Sequence, residues 1–216
     1  MSIDTYKMID ISPIVHKNTP VFPGDVPFSR DVSLSFEKGD HLTLSSMRST
    51  LHIGSHVDAP NHYHLEGEGI DCRALSYYYG KVQVIDLSRL AQPRVVEVGD
   101  ISEIELISPR VLFKTSSFDH YGAWSDDFTS LSKELISYLH NSGVITVGID
   151  TPSIDAADSK GLYAHQAVYE NNMAILEGVD LNFAQAGVYM LVALPLKLKG
   201  ADASPVRAVL IPLKAI

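Results

Sequence analysis

The stretch 52-HIGSHVDAPNHYH-64 holds four of the chain's nine histidines, with an aspartate two residues after the second of them. His52 and His56 are four apart, a spacing that would put them on one face of a helix. Gly54, the β-branched Val57 and Pro60 argue instead for an extended piece followed by a turn. In a strand, positions 52, 54, 56 and 58 share one face, so His52, His56 and Asp58 would point the same way. Gly54 would leave that face open where the three side chains converge. Two imidazoles and a carboxylate make three ligands and leave coordination positions for water, the pattern of a catalytic metal site. Nitrogen and oxygen donors without sulfur suit zinc, with manganese as an alternative. Pro60 ends the strand. His62, beyond the turn, can serve as a further ligand or as a neutral base beside the metal. His64 reads as solvated or adjacent to the site. The bland alternative is a polar loop with chance histidines.

Working outward, the chain of 216 residues can bury one sizeable core. Segments 8–11, 42–51, 81–87, 110–114, 144–149, 188–194 and 206–211 read as short strands rich in Val, Ile and Leu. Leu131, Leu135, Ile136 and Leu139 recur at helical spacing before Gly143, and a second helix is expected over 162–172. Strands with helices between some of them predict an α/β fold: one domain over residues 1–216, with mixed sheets and flanking helices. No internal repeat or linker divides it.

The other half of a metal site should lie elsewhere, and AHQAVYENNMAILEG supplies His165 and Glu177. Twelve residues of one straight helix would not aim both at the same ion, whereas a helix ending near 171–172 followed by a strand or bend could. Taken alone, His165 reads more readily as a capping residue and Glu177 as a surface carboxylate. Asp150 could orient a ligand histidine, line the site, or form a turn before Thr151-Pro152. Asp202 and Arg207 suggest a structural pair. His16, His41, His120 and His140 lack a partner motif and read as surface residues. Trp124 reads as a packing residue.

Composition narrows the function. The net charge is −9, with no run of Lys or Arg to track a phosphate backbone, so nucleic acid is not an expected partner. Neither is a membrane, since charges recur too often for a spanning segment. The opening MSIDTYKMID has neither a basic start nor an apolar run, so a secretion signal is not expected. Cys72 is the single cysteine, which fits a cytoplasmic location and reads as a packed or incidental thiol. HExxH, G-x-S-x-G, CxxC and GxxxxGK[ST] are all absent, so activated-serine hydrolysis has no support.

HIGSHVDAPNHY resembles the H-x-G-x-H-x-D-x-P-x-H signature of the metal-dependent cyclase-like hydrolases. The blocks DISPIVHKNTPVFPGDVPF, VGIDTPSIDAADSK, AHQAVYENNMAILEG and LVALPLKLKGADASPVRAVLIP extend the likeness over nearly the whole chain. The resemblance implies a swivelling β/β/α-like fold and a centre of two divalent ions, zinc by expectation with manganese as alternative. His52, His56 and Asp58 would hold the first ion. Asp58 would bridge to a second, held also by His165 and Glu177, and His62 would move protons. The later blocks imply an aryl formamide substrate and hydrolysis by a metal-activated water. A sister activity on a cyclic amide such as isatin is the alternative, and a non-catalytic metal-binding relative is another. Phe22 stands where the family usually has a tryptophan that packs on the substrate ring, and it keeps an apolar ring face for that contact. A homodimer or larger assembly is also implied, with residues near Phe22 approaching a neighbouring subunit's site.

Overall fold

The computed structural model describes residues 8–91 and 93–213. The reading of the N-terminal stretch as lacking a secretion signal falls largely on 1–7, outside the described residues. Most strands join one nine-stranded mixed sheet. Its members are β1 (Ile9–Asp10), β4 (His56–Asp58), β5 (Tyr79–Asp86), β7 (Arg110–Lys114), β9 (Thr146–Ile149), β10 (Ala174–Glu177), β11 (Gly187–Val192), β12 (Ala203–Pro205) and β13 (Val209–Pro212). The strand order is β1-β13-β11-β5-β7-β9-β10-β4-β12. The central run β5-β7-β9-β10 is parallel and both flanks are antiparallel. Two small ribbons stand outside it: β2 (Ser29–Leu34) with β3 (Leu44–Arg48), and β6 (Val95–Val96) with β8 (Ser130–Leu131). The helices are α1 (Val98–Ile101), α2 (Lys133–Asn141) and α3 (Tyr163–Glu170).

Side-chain alternation divides the core in two. On one face of the sheet, Ile85, Val111, Phe113, Val147, Ile149 and Ile175 pack against the buried stripes of α2 and α3. The opposite face, with Val82, Val84, Leu112, Leu176 and Leu191, packs on Ile11, Val57, Tyr78 and Leu210. The parallel strands are buried on both sides, which is why they read as continuous apolar runs.

α2 begins at Ser132, whose hydroxyl accepts from the Leu135 amide. It stops before Gly143, which takes φ +86°. Leu131, expected within this helix, instead ends β8 and joins the same core from outside it. The first helix residue after Leu162 (φ +44°) is Tyr163, and Asn172 (φ +48°) turns the chain out of α3 into β10. Leu162 and Asn172 were expected inside the helix; both are non-glycine residues in the left-handed region, a strained conformation that helices do not continue through. The bend carries the chain from His165 on α3 to Glu177 at the end of β10.

No described helix is long and apolar enough to cross a membrane.

Candidate metal centre

β4 supplies His56 and Asp58 from one face, two residues apart. His52 does not share that strand, contrary to expectation. Gly54 adopts φ +57° and bends the chain, so residues 51–55 are not extended. The bend is forced by a close approach. A Cβ on Gly178, the residue after Glu177, would lie 2.2 Å from the Gly54 carbonyl oxygen. Two glycines therefore let the His52–His56 turn and the end of β10 touch, which brings the two distant ligand groups together.

Asp58 lies between them. Its Oδ1 is 3.0 Å from His52 Nδ1 and 3.6 Å from His56 Nε2. Its Oδ2 is 3.4 Å from His165 Nε2, which is 3.6 Å from Glu177 Oε1. Glu177 Oε2 is 3.2 Å from His56 Nε2, closing the ring. His56, Asp58, His165 and Glu177 are each only 2 % exposed. Two groups thus share one carboxylate: His52, His56 and Asp58, and Asp58, His165 and Glu177.

These residues fit metal ions. Both Asp58 oxygens and His56 Nε2 are buried with no partner in hydrogen-bonding geometry. Unsatisfied buried polar atoms are costly unless something else meets them. Bonds of about 2.0–2.1 Å around a tetrahedral ion put its ligand atoms roughly 3.3 Å apart, and the separations of 3.0–3.6 Å within the two groups straddle that edge length.

The outer nitrogen of each imidazole points the same way. His56 Nδ1 donates to the Gly54 carbonyl at 2.9 Å, His165 Nδ1 to Asp155 at 2.7 Å, and His52 Nε2 to Asp202 at 3.1 Å. Each bond fixes the tautomer that turns the inner lone pair toward Asp58, the usual support of a metal-ligating histidine.

Electrostatics match an electron-rich cluster. Burial opposes protonation of His52, but Asp58, Asp202 and Glu177 raise its pKa to about 9. His165 is likewise buried, and Asp155, Asp58 and Glu177 push it up to about 10. Burial would raise Asp58, yet His52, His165 and His56 hold it well below the usual carboxylate range. Without a cation, protons on imidazoles supply the positive charge the carboxylates require.

His62 stands beside this centre on the turn after β4. Its ring is 4.1 Å from that of His52, and its Nδ1 is 3.8 Å from Asp202 Oδ2. Partial burial lowers its pKa, so the ring is neutral at pH 7. Gln166 on α3 donates to the Tyr63 carbonyl at 2.7 Å and ties down the turn.

The centre opens into a cavity of about 380 Å³, within the range of small-molecule sites. Phe22, Phe118, Trp124 and Phe128 line one side. Their rings meet edge-on, with Trp124 5.4 Å from Phe22, 5.9 Å from Phe118 and 6.1 Å from Phe128.

The structure brings His52, His56, His165 and Glu177 together around Asp58 in two groups, and Phe22 lines the same cavity. Other expectations need correction. Asp202 turns to His52 and His62, while Arg207 pairs with Asp10 from β1. His120 is buried in the cavity wall rather than on the surface. Trp124 packs, as expected, but it also faces the cavity. Asp150 holds backbone amides rather than a ligand histidine. Asp155 was not anticipated at all. Its separation of ten residues from His165 follows no periodicity, and only the fold brings its carboxylate under the ring.

The chain belongs to the Cyclase family ("Putative cyclase"), whose model matches residues 9–156. The match includes His52 through His62 and stops before His165 and Glu177. Among solved structures, the chain is similar to a potential metal-dependent hydrolase with cyclase activity, at 26 % identity and TM-score 0.80, over 96 % of this chain and 99 % of that one. It is similar to a predicted metal-dependent hydrolase from Bacillus stearothermophilus at 27 % identity and TM-score 0.80, covering 94 % and 97 %. An isatin hydrolase bound to the product analogue thioisatinate shares the fold, at 20 % identity and TM-score 0.80, covering 96 % and 93 %.

Proposed function

We propose that this protein is a metal-dependent hydrolase of aryl formamides, a kynurenine formamidase that converts N-formylkynurenine to kynurenine and formate in tryptophan breakdown. The observation that carries the reading is the pair of ligand groups sharing buried Asp58, with uncommitted lone pairs, at the floor of an aromatic-lined cavity. His52, His56 and Asp58 would hold one divalent ion and Asp58, His165 and Glu177 a second, zinc being the expected metal and manganese the alternative. Such ions supply Lewis acidity, making water nucleophilic near neutral pH and polarising a carbonyl.

The chain's own groups do the rest. His62, neutral at pH 7 and partly open to the cavity, accepts the proton that water releases as its oxygen bonds to the formyl carbon. It returns that proton to the aryl nitrogen as the C–N bond breaks, so formic acid and a neutral amine leave, and the acid gives its proton to solvent to become formate. Asp202, bonded to His52 and 3.8 Å from His62 Nδ1, sets a negative charge beside both rings. Phe22 offers a ring face to the substrate's arene, and the cavity's apolar wall excludes water from around it.

A second reading, hydrolysis of a cyclic amide, is favoured by the fold shared with an isatin hydrolase. The same centre and base would serve it. Assays of N-formylkynurenine, formanilide and isatin side by side separate the two. Activity on isatin alone would replace the first reading. A folded, metal-loaded sample inert toward the whole panel would leave a metal-binding protein without catalysis. The direct test is hydrolysis by metal-depleted protein before and after zinc, manganese and other divalent ions are restored singly.

We also propose a homodimer acting in the cytoplasm. The β2–β3 ribbon is exposed on nearly every residue, with Val32, Leu44 and Met47 open to solvent. A two-stranded ribbon is marginal alone in water, and a second copy would cover it. Sedimentation of the intact protein as a monomer at micromolar concentration would contradict this.

A further inference from the structure

The loop 115–129, between β7 and β8, carries Phe118, Trp124 and Phe128 into the cavity wall, and both of its ends are fastened to the residues that follow β9. At the first end, buried Asp150 accepts from the amides of Thr115 and Ser116, each at 2.8 Å, and from the Thr115 hydroxyl at 2.6 Å. Ser116 sits at φ +56°, a left-handed conformation that a serine adopts only when its surroundings impose it. The clamp continues through the Thr115 hydroxyl to Ser117 Oγ at 2.9 Å, which accepts from the Thr129 amide at 3.0 Å. At the far end, the Thr151 hydroxyl shares its proton between the Thr129 carbonyl at 3.0 Å and the Ser153 carbonyl at 2.9 Å. The Thr151 carbonyl accepts from Gly178, next to Glu177, at 2.9 Å. One dipeptide, Asp150-Thr151, therefore spans from the ligand strand to both feet of the aromatic loop. Asp150 is not among the residues that line the cavity, and it belongs to neither ligand group.

We infer that Asp150 is a positioning residue for substrate affinity, holding the Phe118–Trp124–Phe128 wall at the distance from the metal centre that accepts a flat aromatic ring. The choice of an aryl substrate rests on the function proposed above. The clamp does not depend on it. A carboxyl group accepting two amides and bonded to a hydroxyl is a directional anchor. Without it the Thr115 and Ser116 amides lose their shared acceptor, and the first foot of the loop relaxes away from the cavity. The wall then loses contact with the ring of bound substrate, while the centre that performs the reaction is unchanged.

The test is Asp150→Asn in the full-length, metal-loaded protein. Trp124 is the chain's single tryptophan, so intrinsic emission reports on this loop alone. We expect KM for N-formylkynurenine to rise about tenfold, the scale of losing a buried hydrogen bond. Turnover should stay within about twofold and metal content should match wild type. Emission should shift to the red as the indole meets water. An unchanged KM and emission overturn the inference. So does a loss of metal or turnover at unchanged KM, which would make Asp150 a support of the ligands. Should Asp150→Asn fail to fold, Thr115→Val and Thr151→Val decide it. Each removes one hydroxyl from the clamp and should raise KM about threefold; wild-type KM in both overturns the proposal. Inactivity of the wild type on N-formylkynurenine refutes the substrate and leaves the clamp to be judged by the Trp124 emission of these variants.

Discussion

Asp155 is the most exacting place to perturb the centre without touching a ligand. Its Oδ2 accepts from His165 Nδ1 at 2.7 Å and from the His165 amide at 3.0 Å, and its Oδ1 accepts from the Ala164 amide at 3.1 Å. One carboxylate thus caps the first turn of α3 and aims the His165 ring at Asp58 and Glu177. Asp155→Ala removes both roles. Loss of the cap costs about 1 kcal/mol, and loss of the charged bond to a buried imidazole about 1.5–3 kcal/mol. The metal-free variant should therefore be destabilised by roughly 2.5–4 kcal/mol in urea unfolding. His165 should also lose its fixed tautomer, which lowers metal affinity about 10–100-fold. Only the Asp58–His165–Glu177 group should suffer, because His52 and His56 have their own outer partners. The assay is metal content after dialysis against a graded series of chelator concentrations. One ion per chain should be lost early and the other should match wild type. Retention of both ions at wild-type affinity would refute the reasoning, as would simultaneous loss of both.

Three further outcomes follow from the same geometry. His62→Ala should lower turnover about 10²–10⁴-fold with metal content intact; loss of metal from the purified variant would make His62 a ligand instead. Phe22→Ala should raise KM for an aryl formamide about three- to tenfold, the worth of one aromatic contact, and an unchanged KM would remove Phe22 from the substrate's path. In chelated protein, His52 and His165 are raised from 6.5 to about 9 and about 10. Their stabilisation is complete below pH 6.5 and is lost as pH rises through 9 to 10. Asp58 and Asp155, both lowered, act in the opposite sense and lose their contribution as pH falls below the ordinary 3.8. The melting temperature of metal-free protein should thus fall between pH 6.5 and 10, and metal uptake near neutral pH should release protons. A flat profile across that window contradicts the assignment of charge.

Much of this centre could be read from residue types. Gly54, Val57 and Pro60 excluded a helix through the histidine stretch, and the interval from His165 to Glu177 required a bend that Asn172 supplies. The parallel strands announced themselves by continuous apolar runs because both of their faces are buried. Less legible were β4, β10 and β12, each of three or four residues, too short to display a period. His52 was assigned to a strand because alternation alone favoured it, whereas the close approach of Gly178 to Gly54 is a tertiary constraint without a local signature. The same applies to Asp155, Asp202 and the aromatic loop. Their partners lie from ten to 150 residues away, and no local pattern links a carboxylate to an imidazole at such separations. Asp202 was paired with Arg207 on proximity in sequence, and the sheet instead delivers Arg207 to Asp10 across β1 and β13.

The most direct measurement is anomalous diffraction from crystals of the metal-loaded protein, recorded on both sides of the zinc edge. Two peaks should flank the Asp58 carboxylate, one among His52, His56 and Asp58 and the other among Asp58, His165 and Glu177. Metal density elsewhere, or none beside Asp58 in crystals of protein that stays fully active after exhaustive chelation, would contradict the account.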